Sequence, residues 1–198
     1  MRKESEGIRK LRMGTLFFII APILGIIAML VLGFATSLSL LNLLSSLSAT
    51  SIISSIMQFL TGAIVSLAIY GVAIVLYIVG LIKVRGGFKI LAQEGKNVGV
   101  GYTGTSLIFI SLILFVLAIV LSIIHVYFLP FLSALIYVSA ILGIIGYILT
   151  NIGFYRVGSE YNEGTVKTGG ILATIFIIPI LPFIGYIMIY VGLGNIKS

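Results

Sequence analysis

Five long apolar stretches without a charged residue constrain what this chain can fold into. They cover about residues 13–34, 56–82, 105–128, 131–154 and 170–193. A helix needs about 20 such residues to cross roughly 30 Å of hydrocarbon. Only 9% of the residues are charged, against about 25% in a soluble domain. The sequence therefore predicts an all-α, multi-pass helical bundle in the cell membrane, with five transmembrane helices in a single domain over residues 13–194.

The basic residues lie on one side of these predicted spans. Of the twelve Lys and Arg residues, eleven fall in the N-terminal segment 1–12 or in the segments after the second and fourth spans, as do all five Glu residues. Cytoplasmic loops of membrane proteins collect Lys and Arg, the positive-inside rule. We therefore predict a basic cytoplasmic N-terminus over residues 1–12, a basic cytoplasmic loop over residues 83–104 and a short outside tail over residues 195–198. Only Lys197 then lies on the outside.

The segment 35–55 is uncharged and rich in Ser and Leu, and it is just long enough for a sixth span. A crossing there would move the basic loop 83–104 to the outside, so the charges argue against it. We predict that segment 35–55 stays on the outer side. It is an interfacial piece, a re-entrant piece or an extension of a neighbouring helix.

Short residue matches relate the first two predicted spans to the next two. A numbering offset of 73 lays Gly80 on Gly153, and an offset of 90 lays Gly14 on Gly104. The two offsets differ by 90 minus 73, or 17, which is close to the length of the Ser-rich segment. A duplicated helix hairpin with an insertion in its first copy explains both offsets. Chance alignment within the small alphabet of membrane helices is the alternative.

Small residues recur along the fourth span at spacings of four, three, four and three. They are Ser139, Gly143, Gly146, Thr150 and Gly153. These spacings place them on one helix face, where small side chains let two helix backbones approach closely. The pattern predicts a helix-packing face, whose partner is a helix of the same chain or of another subunit.

Pro179 and Pro182 interrupt the fifth predicted span. Each proline removes a backbone donor and kinks or breaks its helix. Discontinuous helices line the sites of many transporters, although proline also occurs in purely structural spans. Pro179 and Pro182 are therefore the candidate pore or hinge positions.

The inventory of reactive side chains is small. There is no Cys, the single His is His125, and no charged residue lies in a predicted span. Intramembrane catalysts and ion-coupled pumps usually need ionisable groups there. Residues 99–104 match the G-x-G-x-x-G pattern, but no acidic residue follows before Glu160, so we interpret this segment as a flexible loop. We predict no enzyme activity, no catalytic, cofactor-binding or metal-binding residue, no cofactor and no nucleic-acid partner.

Short motifs along the chain resemble those of a known family. They are Gly7-Ile8, Leu11-Arg12, Gly14, Phe154-Tyr155-Arg156-Val157-Gly158, Tyr161 and Gly170-Ile171-Leu172. The chain resembles the archaeal membrane family known as domain of unknown function 973 over nearly its whole length. The resemblance implies a small multi-pass protein of archaea, especially thermoacidophiles, and supplies no activity. The high Ile content and the lack of Cys also lean towards a thermophile.

Three functional interpretations follow. The first is a non-catalytic helical bundle that acts as an accessory or assembly component, in contact with the lipid bilayer and with other membrane-protein subunits or further copies of itself. It is motivated by the small-residue face of the fourth span. The alternative is a small-solute permease or channel, motivated by the hairpin repeat and the proline-broken fifth span. Recruitment to anionic lipid through the basic face is a third, weaker interpretation.

Overall fold

The computed structural model describes residues 2–45, 48–124 and 129–196. All regular secondary structure in these ranges is helical, which confirms the all-α prediction. The helices are α1 (Arg2–Ser45), α2 (Ala49–Gln93), α3 (Gly99–Ile124), α4 (Leu129–Glu160), α5 (Gly164–Thr174) and α6 (Ile180–Asn195). Helices α1 to α4 are each long and apolar enough to cross a membrane.

The helices belong to two compact units. The smaller unit, Phe17–Val79, is an antiparallel pair formed by parts of α1 and α2. The Ser66 hydroxyl donates to the carbonyl oxygen of Ala28 at 2.8 Å, and Asn42 Nδ2 donates to Gln58 Oε1 at 2.7 Å. In the larger unit, Met1–Leu16 with Gly80–Ser198, α3 packs on α4, α4 on α5, and α5 on α6.

The predicted basic loop 83–104 is mostly helix in the structure, so its extent was wrong. Helix α2 continues to Gln93 and α3 begins at Gly99. The apolar face of α2 extends through Phe88 and Leu91, which are fully buried. Gly95 then stops the helix at φ +82°, and the amide of Lys96 donates to the carbonyl oxygen of Leu91, as in a Schellman cap. The flexible loop expected at residues 99–104 is likewise the start of α3.

The predicted fifth span, residues 170–193, is not one continuous helix in the structure, which divides it between α5 and α6. Contacts pair Gly169 with Ile189 and Ala173 with Gly185, so α5 and α6 run antiparallel and the chain turns back between them. The prolines explain the break. Pro179 precedes the first residue of α6 and Pro182 lies in its first turn, where a missing backbone N–H costs nothing.

The two hairpins make equivalent contacts, but at an offset that differs from the predicted one. A Cβ added to Gly14 would meet the carbonyl oxygen of Gly80 at 2.6 Å, and one added to Gly104 would meet that of Gly146 at 2.7 Å. The offset from α1 to α3 is thus 90, as predicted, whereas that from α2 to α4 is 66 rather than 73. The error of seven residues is two helical turns and keeps the same helix face, so the residue pattern could not reveal it.

The first hairpin is longer than the second. Corresponding residues differ in number by 90 between α1 and α3 but by only 66 between α2 and α4, so the first hairpin contains 90 minus 66, or 24, additional residues. Phe34 corresponds to Ile124 and Ala63 to Leu129, so residues 35–62 stand in the chain where the second hairpin has only residues 125–128. The predicted Ser-rich segment 35–55 lies within this stretch, where it continues α1 to Ser45 and begins α2 at Ala49. We call residues 35–62 the hairpin extension.

Candidate helix-packing and polar sites

The small-residue face of α4 lies against α3 of the same chain. A Cβ on Gly146 would meet the backbone nitrogen of Ile108 at 2.9 Å, and one on Gly153 would meet that of Gly101 at 3.0 Å. The two backbones are therefore in direct contact, and no larger residue fits without moving α3 away. Such close approach drives helix association where lipid removes the usual hydrophobic force.

Hydroxyl groups of this face link α3 and α4. Ser111 Oγ donates to the carbonyl oxygen of Ser139 at 2.9 Å, and Ser139 Oγ donates to that of Ser111 at 2.9 Å. Gly143 faces the Ser111 side chain. Thr150, which is buried, donates within its own helix to the carbonyl oxygen of Gly146 at 2.8 Å. The reciprocal serine pair fixes the register of the two helices.

The partner face on α3 was not predicted from the sequence. It contains Gly101 and Gly104, which were interpreted as part of a loop. Their spacing of three residues is one helical turn, and Thr105 and Ile108 continue the same buried face. The glycine spacing contains the signal for this face, but the same glycines belong to the G-x-G-x-x-G pattern of residues 99–104, which was interpreted as a flexible loop.

The end of α5 is bound by polar side chains of α4. The carbonyl oxygen of Ala173 lies in the last turn of α5, where no further helical N–H reaches it. The Tyr147 hydroxyl and the Asn151 Nδ2 both donate to this oxygen, the second at 3.2 Å. Tyr147 and Asn151 thus cap the C-terminal end of α5. Pro179 and Pro182 follow it in the chain, at the start of α6.

Replacing Tyr147 with Phe removes one of the two donors to Ala173. We expect the free energy of unfolding to fall by about 1 kcal/mol, since one interhelical hydrogen bond is lost while the ring packing stays. Thermal unfolding in mild detergent measures the change. Tyr137→Phe is the matched control, because the Tyr137 side chain is 69% exposed. Equal melting temperatures for both variants would contradict this role of Tyr147.

Asn151 carries an unusual feature. The residue is fully buried, and its Oδ1 has no hydrogen-bond partner. A buried acceptor without a donor costs about 1–3 kcal/mol. Tyr161 Oη is the other such atom in the described part of the chain.

Polar contacts join the chain segments in which the Lys, Arg and Glu residues lie. Lys96 Nζ lies 3.2 Å from Glu4 Oε1. The backbone N–H of Asn97 donates to Glu160 Oε1 at 3.2 Å. The side chain of Arg156 donates to Asn97 Oδ1 at 2.9 Å. These contacts tie the start of α1, the α2–α3 connection and the end of α4 together.

The carboxylates do not form a shared site. Glu94 lies 3.9 Å from Lys3, and Glu163 caps α5 through the amide of Thr165. Within residues 2–45, 48–124 and 129–196, no three His, Asp or Glu side chains lie close enough to hold a metal ion. His125 lies outside the described residues.

The environment of Tyr161 makes the stability of the folded protein depend on pH. Burial, and then the charges of Glu4 and Glu160, raise the pKa of Tyr161 to about 12. The folded state holds this proton more tightly than the unfolded state. Its contribution to stability is therefore complete below the ordinary pKa of 10 and is lost as the pH rises to about 12. Melting temperatures measured between about pH 9 and 12 should fall more steeply for the wild type than for Tyr161→Phe, and parallel curves would refute this.

Comparison with known proteins identifies the family but no activity. No match was found among curated proteins or among solved structures. One family model, described as protein of unknown function (DUF973), matches residues 4–198. Because this match covers nearly the whole chain, the protein belongs to the DUF973 family of proteins of unknown function.

Proposed function

We propose that this protein is a non-catalytic bundle in the cell membrane that serves as an accessory or assembly component. The hairpin extension, residues 35–62, is its contact surface for another polypeptide. Three features of the chain support this role: its topology, the reach of the first hairpin and the chemistry of the exposed surface.

The topology that the contacts favour has four crossings followed by a re-entrant hairpin. Because α5 and α6 are antiparallel, the end of α6 returns to the side from which α5 starts. The Arg12 guanidinium lies 4.8 Å from the ring centroid of Tyr190, and Gly194 lies beside Arg12. Both termini then lie on the cytoplasmic side. All twelve basic residues fall on that side as well, so Lys197 is no longer an exception to the positive-inside rule.

The first hairpin is longer than the membrane requires. About 20 helical residues cross the hydrocarbon core, so a helix that leaves the interface at Arg12 emerges near residue 33. Counting back from Lys83 places the other arm near residue 63. Residues 34–45 of α1 and 49–62 of α2 then project beyond the outer surface by about 20 Å. This count, from charges and membrane thickness, agrees with the hairpin extension that the contacts define.

The projecting surface exposes large apolar side chains among its serines, and this observation carries the proposal. Leu44 is 83% exposed, Ile53 63% and Leu41 62%. A groove of about 630 Å³ runs between the arms and is lined mainly by apolar side chains, among them Phe34, Leu38 and Met57. Contiguous apolar surface of this kind outside lipid marks a protein contact site. A second polypeptide would cover it.

The direct test shortens the first hairpin to the length of the second. In this variant the hairpin extension is replaced by a copy of residues 125–128, so both hairpins have equal arms. Native mass spectrometry of protein extracted gently from its own membranes compares the two forms. The wild type should appear in a complex larger than its own 21.2 kDa, and the shortened chain as a monomer with an unchanged melting temperature. A monomeric wild type, or a shortened chain that keeps its complex, would overturn the proposal.

One observation favours the permease or channel as a second candidate. The unpartnered Asn151 Oδ1 lies beside the break between α5 and α6, and broken helices next to buried polar groups are typical of solute sites. If the protein conducts small solutes, liposome flux should be lost in Asn151→Leu and altered in Pro179→Ala. Absence of flux from wild-type liposomes over a broad solute panel would remove this candidate.

A further inference from the structure

Arg85 occupies a structured position between α2 and α3. Its Nε donates to Ser106 Oγ at 3.1 Å, and its Nη2 donates to the Tyr102 hydroxyl at 2.9 Å. The guanidinium carbon lies 4.9 Å from the ring centroid of Tyr102 and 6.0 Å from that of Phe109. Two hydrogen bonds and two aromatic faces therefore hold the cation in one orientation.

The charge of Arg85 is not neutralised by any carboxylate in the described part of the chain. The Glu side chains there contact other groups: Glu4 with Lys96, Glu6 with Lys10, Glu94 with Lys3, Glu160 with Asn97 and Glu163 with Thr165. Hydroxyl oxygens accept hydrogen bonds but carry no charge. A guanidinium has five N–H donors, of which two bind Ser106 and Tyr102. The remaining donors are suited to a phosphate, which Arg binds in a bidentate manner.

The surface beside Arg85 is apolar. A groove of about 420 Å³ is lined by Arg85 and Ser106 together with Ile82, Phe109 and Ile110. Ile82 and Ile110 are exposed, at 53% and 47%. Arg85 lies near the C-terminal end of α2, the end that the proposed topology places on the cytoplasmic side. The groove thus presents a cation at the level of the lipid headgroups and apolar side chains alongside it.

We propose that the groove between α2 and α3 binds an anionic phospholipid. The lipid phosphate contacts Arg85, and an acyl chain lies along Ile82, Phe109 and Ile110. Basic pockets between membrane helices on the cytoplasmic side bind anionic lipid headgroups. This site rests on the membrane location in the proposed function, but it is independent of the hairpin extension and of any partner protein.

Native mass spectrometry of the detergent-solubilised full chain, titrated with phosphatidylglycerol or phosphatidylcholine, tests the proposal. The wild type should bind phosphatidylglycerol preferentially, and Arg85→Gln should weaken this binding by about tenfold or more. Lys89→Gln, which removes an exposed charge from the same helix, should leave it nearly unchanged. Equal binding of the two lipids, or an Arg85→Gln variant that binds like the wild type, would overturn the proposal.

A second variant and a competitor complete the design. Ile110→Trp fills the groove but keeps Arg85, so it should also reduce phosphatidylglycerol binding if the acyl chain lies there. Normal lipid binding by this variant would contradict the site. Inorganic phosphate at millimolar concentration should not displace the lipid, and displacement would assign Arg85 to a soluble anion instead. Because lipid binding is read on the isolated chain, failure here leaves the assembly role untouched, and failure of the assembly test leaves this site untouched.

Discussion

Gly146→Leu is expected to prevent the helices of the larger unit from packing. A Cβ at this position would meet the carbonyl oxygen of Gly104 at 2.7 Å and the backbone nitrogen of Ile108 at 2.9 Å. Both are backbone atoms of a helix, so α3 as a whole must move. Overpacking costs about 1–3 kcal/mol even when side chains can adjust, and here none can. We expect a melting temperature lower by about 10 °C or more, or no folded monodisperse protein.

Gly71→Leu is the matched control, since a Cβ added to Gly71 meets nothing within 4 Å. Both substitutions add the same side chain to an apolar helix, and only one of them meets another backbone. Thermal unfolding and size-exclusion chromatography in detergent compare them. If Gly146→Leu elutes and melts like Gly71→Leu, the close contact of α3 and α4 does not hold the bundle together.

A cysteine placed at Asn195 is expected to be labelled from the same side of the membrane as one at Ser5. The reason is the antiparallel arrangement of α5 and α6, which returns the chain to its starting side. The chain has no Cys of its own, so each introduced thiol is the only target for a membrane-impermeant maleimide. Ser48→Cys, between α1 and α2, should be labelled from the opposite side. All three positions are exposed.

Each thiol should be labelled from one side of the membrane only. Ser48→Cys should react in intact cells, and Ser5→Cys and Asn195→Cys should react in inverted vesicles. Labelling of Asn195→Cys together with Ser48→Cys would restore a fifth crossing over residues 170–193. It would also move Lys197 to the outer side and contradict the re-entrant hairpin. Labelling of Ser5→Cys together with Ser48→Cys would contradict the four crossings themselves.

Hydropathy and charge were sufficient to predict the approximate positions of four helices that are long and apolar enough to cross a membrane. They could not reveal the reversal at residues 175–179. The residues on both sides of Pro179 are equally apolar, so an antiparallel pair and a kinked span have the same composition. The structure distinguishes them because Gly185 packs against Ala173. Lys197, the one basic residue that does not fit the charge pattern of five spans, fits it in the proposed topology of four crossings and a re-entrant hairpin.

The packing face was predictable where a single helix carried it, and less so where two faces had to be matched. The spacing from Ser139 to Gly153 predicts a packing face on α4, and on that face Gly146 and Gly153 lie against the backbone of α3. Its opposite face on α3 combines Gly101 and Gly104 with larger residues, so no run appears there. The contact offset of 66 depends on which turn of α2 meets Gly14, and a pattern that repeats every seven residues cannot decide between adjacent choices.

Site-specific photo-crosslinking in native membranes tests the proposed assembly role most directly. A photoreactive amino acid replaces Leu44, which lies in the hairpin extension and is 83% exposed, or Leu67, which is 74% exposed but lies within the predicted hydrocarbon. Irradiation at position 44 should give a crosslink to a discrete polypeptide, either another protein or a second copy of the chain, and position 67 should give none. Absence of a protein crosslink at position 44, or equal crosslinks at both positions, would contradict the assignment of the hairpin extension as the contact surface.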